Sequence, residues 1–452
     1  MSLSFHRWLI AGLASHALRR CLFCLGLIIS LGNVCSVAFV AGQTPDAPRF
    51  QSSNIAVVER SLPTIWSPDS GIVWTAEIEG YGQSTPIVAH DQIVVTSTSG
   101  EMKDNYHVTA FDPADGSRLW QVDAANPSPF KNTPMVSRAA PTAVATDEGF
   151  VAFFEGGVLI GIDTKGGKTW QRDLVAEYGP ITARHGLSSS LEVDQQRVYV
   201  WVERSEEPYV LAIEPSTGET IWKSPGIGAT AWASPRLIDV GDTQHLVCSA
   251  IGTIVGLDPA TGERLWQFDQ IDNNSSCTPI PAGNGRFVIG ASDGRDAGAA
   301  GEAAASNGLI EITRDGDQYQ VDYRWRAKKA TCTFGSPVVV GDTAAFVNRA
   351  GVLYRLDIET GQQVSVDRTA AGGVWATPLV TDQHLYLFGY KGTTVVIDRT
   401  SGDTVSENRV WNAEDAESSL GGHKIYAAVA VDSMLVLRRG DKLYAIADTD
   451  QP

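Results

Sequence analysis

The chain has 452 residues, room for two or three ordinary domains or for one long repeat array. Its 43% hydrophobic and 8% aromatic content builds a core and excludes chain-wide disorder. Lys plus Arg number 35 against 52 for Asp plus Glu, a net charge of −17, which excludes nucleic acid as a partner held through phosphates. With 44 Gly, 21 Pro, 12 Trp and only 19% charged residues, the composition is that of many short elements joined by turns, and points to an all-β fold.

Residues 1–20 hold Arg7, Arg19 and Arg20 and no acidic residue, and the apolar run Cys21–Val40 follows. That order is a secretory signal's. Small residues at Val40-Ala41-Gly42 place cleavage after Gly42, so that 1–42 is the signal and the mature chain opens at Gln43. An uncleaved anchor stays open as an alternative, because about 20 apolar residues suffice to span a bilayer. Membrane contact is then expected only through this segment. Val34 before Cys35 and Phe23 before Cys24 argue against lipid attachment. Cys21, Cys24 and Cys35 fall in the segment, which leaves Cys248, Cys277 and Cys332; an odd number cannot all pair internally. Cys277 and Cys332 occupy equivalent edges of adjacent units, and a disulfide or two isolated thiols are both open there.

Residues 43–64 read as a linker, and 65–452 as a repeat array. One phrase recurs: AFDPADGSRLW ends at Trp120, GIDTKGGKTW at Trp170, AIEPSTGETIW at Trp222 and GLDPATGERLW at Trp266. A stretched copy ends at Trp325, and copies ending at Ser365 and Ser406 have lost the Trp. Each phrase reads as strand, turn, strand, with the acidic residue accepting backbone N–H groups and Gly closing the hairpin in the left-handed region.

Between phrases, a small residue, usually beside Pro, opens two further β-rich runs. These openings fall at Thr85, Ala140, Ser189, Ser234, Thr278, Ser336, Thr377 and Ala427, 41 to 58 residues apart. Eight units of four antiparallel strands are the signature of an eight-bladed β-propeller. The last unit, Tyr426 to Asp448, stops without its Trp strand, whereas Ile72–Ile78 carries Trp74 before any unit has begun. An N-terminal strand completing the C-terminal blade is therefore predicted, removing an open edge. Residues 100–107, 124–137 and the Gly/Ala-rich 293–307 read as loops.

The repeated Asp-x-x-Thr-Gly-x-x-x-Trp phrases resemble the repeats of the pyrroloquinoline-quinone-type propeller superfamily, which holds quinoprotein alcohol dehydrogenases and BamB-like proteins. The resemblance covers residues 65–448. It implies that Trp74, Trp120, Trp170, Trp222, Trp266 and Trp325 pack between neighbouring blades as structural docking residues. Fold alone does not decide function in such a family. A quinoprotein dehydrogenase adds Ca²⁺ on oxygen ligands, an Asp base and, in many members, two adjacent cysteines; no Cys-Cys pair stands in this chain. Nor is there an HExxH, a GxSxG or a phosphate loop. No cofactor is expected, and pyrroloquinoline quinone with Ca²⁺ only if the chain is an oxidoreductase after all.

The segments preceding the inner strands crowd around one mouth of the ring. They place Arg138, Arg184, His185, Trp232, Trp375, His423 and Lys424 there, a partly cationic and aromatic funnel on an acidic protein. The expected function is that of an exported, periplasmic or envelope-associated, monomeric and non-catalytic scaffold. It would bind another envelope protein or an extracellular polymer, with strand addition as one mode. The alternatives are a quinone-dependent oxidoreductase and a small-ligand sensor using Trp232 and Trp375.

Overall fold

The recurrent phrase forms a hairpin because its acidic residue and its glycine each solve one backbone problem. Asp112, Asp163, Glu214, Asp258, Asp357 and Asp398 each accept a turn N–H at 2.7–3.0 Å. These donors hold the Asp163 and Asp398 carboxyls below the usual range. The glycines Gly116, Gly218 and Gly262 take φ of 72–75°, where a side chain would be strained. A one-residue bulge follows in the ladder, as between Ala110 and Phe111 opposite Trp120 and Arg118, and it turns the Trp toward the next sheet.

The protein is described from a computed structural model, which covers residues 49–51, 61–131, 133, 136–183, 185–204, 206–292, 303–412 and 423–448. The expected signal, 1–42, and most of the Gly/Ala-rich insertion lie outside the described residues. Within them, eight four-stranded antiparallel sheets form an eight-bladed propeller. Seven blades are continuous in sequence: 87–125, 144–173, 192–225, 236–268, 280–326, 338–368 and 379–409. The eighth joins Ala427–Val431, Met434–Arg439 and Lys442–Ile446 to the N-terminal strand Ile72–Glu77, which pairs antiparallel with the last of them. The predicted closure is what the chain does. Among the described residues, no helix is long and apolar enough to cross a membrane.

Two sets of contacts join blade to blade. Toward the rim, the indole Nε1 of Trp74, Trp170, Trp222 and Trp325 donates to a carbonyl in the following blade's turn. The acceptors are Pro113, Pro215, Pro259 and Ile358, at 2.7–3.0 Å. The ring lies flat on that turn's glycine; a Cβ on Gly116, Gly218, Gly262 or Gly361 would stand 2.5–2.6 Å from it. Trp120 covers Gly166 likewise but bonds Gln92 at 2.6 Å, whose amide reaches Thr164 of the next blade. Trp266 faces the stretched turn of blade 5 and bonds His245 Nδ1 at 2.9 Å.

Where the phrase has lost its Trp, other groups fill the gap. Between blades 6 and 7, Arg355 is held by Ser365 and donates to the Arg399 carbonyl at 3.1 Å, covering Gly402. Between blades 7 and 8, Leu62 and Trp66 are buried. Their backbone is tied by Asn408, which accepts from Trp66 N–H at 2.9 Å and donates to Thr64.

At the hub, the N–H of each inner-strand opening donates to a hydroxyl of the next blade: Thr85 to Thr142, then Ser190, Ser234, Thr278, Ser336 and Thr377, at 2.9–3.1 Å. The equivalent positions of blades 2 and 3 are thus Thr142 and Ser190, a residue or two beyond the openings at Ala140 and Ser189. Blade 8 opens with Ala427-Ala428 and offers no hydroxyl. At the other seam, with blade 1, fully buried Arg438 donates to Ser84 and to the Thr96 carbonyl, and burial lowers its pKa to about 9.

Cys277 and Cys332 are buried thiols outside any disulfide, and both sulfurs border the space a Cβ on Gly290 would fill.

Replacing Ser234 by Ala leaves the buried Ser190 N–H without its acceptor. We expect about 1–3 kcal/mol of destabilisation, read as a lower midpoint in urea unfolding. His245 is buried as an acceptor for Trp266, and burial lowers its pKa from 6.5 to about 4. The unfolded chain therefore binds a proton near pH 6.5 that the folded chain refuses until about pH 4. This contribution is complete above pH 6.5 and is lost as pH falls toward 4. The fall in Tm between pH 7 and 4.5 is expected to be larger in the native chain than in His245→Gln; equal falls would contradict the assignment.

Candidate interaction site

Antiparallel alternation puts the connections between blades and the hairpins joining second to third strands on one face of the ring, and the Trp-covered turns on the other. The first face carries the side chains expected at the mouth. The loop after blade 1 brings Arg138 over the Tyr81 ring, 3.6 Å from its centroid. The Tyr81 hydroxyl meets that of Tyr426 at 2.9 Å, the rings edge to face. Burial, reinforced by the Tyr426 phenol, pushes the Tyr81 pKa up, so it stays neutral.

Trp375 continues the arc. It lies 5.9 Å from Tyr426, stacks on Tyr390 at 5.3 Å with the planes 13° apart, and meets half-exposed Phe334 edge to face at 5.7 Å. Lys424 Nζ stands 5.5 Å from the Tyr390 ring, and exposed Lys391 approaches the same ring at 5.8 Å. Blades 6, 7, 8 and 1 thus share one aromatic crescent edged by cations, an arrangement that favours an anionic or aromatic partner.

The loop bearing Arg138 is pinned from beneath. Fully buried Lys103 bonds Glu155 at 3.0 Å and lies 4.0 Å from the Phe130 ring; Glu155 also accepts the Ala139 N–H at 3.1 Å. Burial lowers the Lys103 pKa, opposed by the Glu155 charge.

Of the residues expected at the mouth, Arg138, Trp375 and Lys424 come together in this crescent. His185 and Trp232 form a separate pair on blades 3 and 4, ring centroids 5.8 Å apart. His423 packs edge to face on Trp411 and lies 3.2 Å from an Arg439 nitrogen. Arg184 lies outside the described residues. Tyr81, Phe334 and Tyr426 belong to segments that the sequence marks as mouth-forming, but only their ring contacts distinguish them. Tyr390 comes from a hairpin the inner-strand pattern does not reach.

The hub itself holds the chain's own Arg49-Phe50-Gln51. Arg49 pairs with Glu192 at 2.8 Å, the Phe50 carbonyl accepts from Arg236 at 3.0 Å, and the Gln51 amide donates to Ser336 at 3.1 Å and to Thr377. Phe50 and Gln51 line a small cavity with Trp375, Tyr426 and Phe334, of about 50 Å³. That is room for a few waters, against roughly 300–1,000 Å³ for a small-molecule site. Quinone with Ca²⁺ does not fit these residues: Glu192 is committed to Arg49 and, at 3.4 Å, to Arg236. Among the described residues, no three His, Cys, Asp or Glu side chains gather to hold a metal ion.

Comparison with known proteins agrees with the repeat. The family model described as outer membrane protein assembly factor BamB matches residues 44–201, 165–300 and 206–449. The BamB of Burkholderia pseudomallei is 23% identical over 283 residues, 56% of this chain and 67% of that one. The BamB of Shewanella oneidensis is 21% identical over 342 residues, 74% of this chain and 66% of that one. The matches thus span about two thirds of these relatives' length. Among solved structures, BamB from Moraxella catarrhalis superposes with a TM-score of 0.57 at 14% identity, over 84% of this chain and 98% of that one. A europium-containing methanol dehydrogenase superposes with 0.61 at 12% identity, over 90% and 99%. At such identities the superpositions speak to fold alone. The extent of the family match decides the assignment, and this chain belongs to the family of outer membrane protein assembly factor BamB.

Proposed function

We propose that the chain is an exported, non-catalytic, monomeric scaffold that docks another envelope protein through the face bearing the aromatic crescent, in the assembly of outer membrane proteins that its relatives' name describes. The observation that carries this reading is the crescent: Tyr81, Tyr426, Trp375, Tyr390 and Phe334 in a continuous chain of ring contacts, with Arg138 stacked on one end. Tyr, Trp, Phe and Arg are the side chains enriched where proteins dock, because each offers a large, stiff surface at small entropic cost. The crescent stands on connections of blades 6, 7, 8 and 1, and the cavity that Phe50 and Gln51 line beside it is only about 50 Å³. A shallow, prepared surface of that kind suits a protein better than a small molecule. Exposed Lys391, together with the buried Arg138 and Lys424, sets positive charge on this face against a net charge of −17, which favours acidic partners here.

The test uses chemical cross-linking in intact cells with the Trp375→Ala/Tyr390→Ala chain. Folding is checked by circular dichroism and Tm. The native chain is expected to cross-link to a protein of the outer-membrane assembly apparatus. The double variant should lose that product by about thirtyfold, the effect of one hot spot worth 2 kcal/mol. Undiminished cross-linking by a folded variant, or a cell-surface polymer as the captured species, overturns the reading. So does dye-linked alcohol oxidation by the purified chain with pyrroloquinoline quinone and Ca²⁺.

A further inference from the structure

The register position two residues after each hub hydroxyl is Ile87, Val144, Ile280, Val338 and Leu379 in five blades, all buried. In blades 3 and 4 the same position is Glu192 and Arg236, 1% and 0% exposed. Aliphatic side chains satisfy that place wherever only packing is asked of it. Two opposite charges there carry a desolvation cost that apolar residues would avoid. They pair with each other at 3.4 Å, and both also meet the segment described above: the Arg49 guanidinium on one carboxylate oxygen of Glu192, and the Phe50 carbonyl on Arg236. Gln51 then reaches the opposite wall and joins the hydroxyl ring at Ser336 and Thr377, within the run of the ring nearest to where blade 8 offers no hydroxyl.

We propose that the hub is a built peptide-binding site for an arginine-containing segment that turns at its third residue, where Gln51 takes φ 61°, filled in cis by Arg49-Phe50-Gln51. One carboxylate (Glu192), one guanidinium donor (Arg236) and one pair of hydroxyls (Ser336 and Thr377) are matched to three consecutive residues, so the site reads a side chain, a backbone carbonyl and a second side chain in turn. Arg49 and Gln51 are only 6% and 3% exposed, the burial of core residues rather than of a passing terminus. A free arginyl peptide of the same pattern competes for the site only when the covalently attached segment is withdrawn, because attachment gives the latter a high effective concentration. This assignment is independent of what docks on the crescent.

The experiment uses the full chain carrying Arg49→Ala, Phe50→Ala and Gln51→Ala together, and a fluorescein-labelled peptide of residues 45–53, followed by fluorescence polarisation. The triple variant is expected to bind the peptide saturably, at least tenfold more tightly than the native chain does. Replacing the peptide's arginine by citrulline, which keeps the shape and removes the charge, is expected to weaken binding at least tenfold. Equal binding to native and variant chains, no binding by a variant of native Tm, or indifference to citrulline overturns the proposal. A second measurement needs no variant. In the native chain the Phe50 and Gln51 amides should exchange with deuterium at least tenfold more slowly than in the free peptide, and exchange at the free-peptide rate overturns it.

Discussion

The arrangement of the sheets depends on one small bond repeated six times around the axis, from blade 1 to blade 7: the N–H opening an inner strand donates to a Ser or Thr hydroxyl of the next blade. These N–H groups stand at the start of a strand, where no ladder partner is available, and they are buried. A buried donor must be paired. Only a short hydroxyl-bearing side chain can both accept the bond and leave the inner strands close enough to form a hub, and adjoining prolines help to set the strand's entry. The bond thus fixes the distance and rotation between successive sheets, and the rim contacts then have a constant gap to fill.

That gap is filled by chemistry that varies while the geometry does not. Indole is the common solution, because one flat ring covers a glycine and its N–H reaches a carbonyl beyond it. Arg355 does the same with a planar guanidinium, and Leu62 with Trp66 closes a third gap from outside the repeat altogether. The seam between blades 8 and 1 is tied by a buried Arg438, which donates to Ser84 and to the Thr96 carbonyl. The ring is therefore uniform in spacing and uneven in what maintains it.

The architecture was legible in the sequence because its signals are local: an acidic residue, a left-handed glycine and a Trp at fixed offsets specify a hairpin and its orientation, and the unpaired Trp74 strand specifies the closure. The exact hydroxyl positions of blades 2 and 3 were not, since Ala140-Pro141-Thr142 and Ser189-Ser190 each offer two small residues and only the inter-blade bond selects one. The site was legible in part. Position before an inner strand located Arg138, Trp375 and Lys424. Tyr390 was hidden because it belongs to another loop, and contact across blades is not a property of any one repeat. The segment Arg49-Phe50-Gln51 left no periodic trace, since it precedes the repeats and matches none of them. Its receptors did leave one: Glu192 and Arg236 are charged where the aligned repeats are aliphatic.

The pairing of Ile72–Glu77 with Lys442–Ile446 also has a temporal side. The strand made earliest has no partner until nearly the last residues have emerged, so the ring stays a crescent with an unpaired edge at each end while it grows. Contacts of such long sequence separation form slowly, because the intervening chain must first lose its freedom. The waiting strand exposes the ladder groups that invite association with foreign strands. A protein closed in this manner completes its ring only when its C-terminal blade meets the N-terminal strand, and its vulnerable interval lasts until that pairing forms.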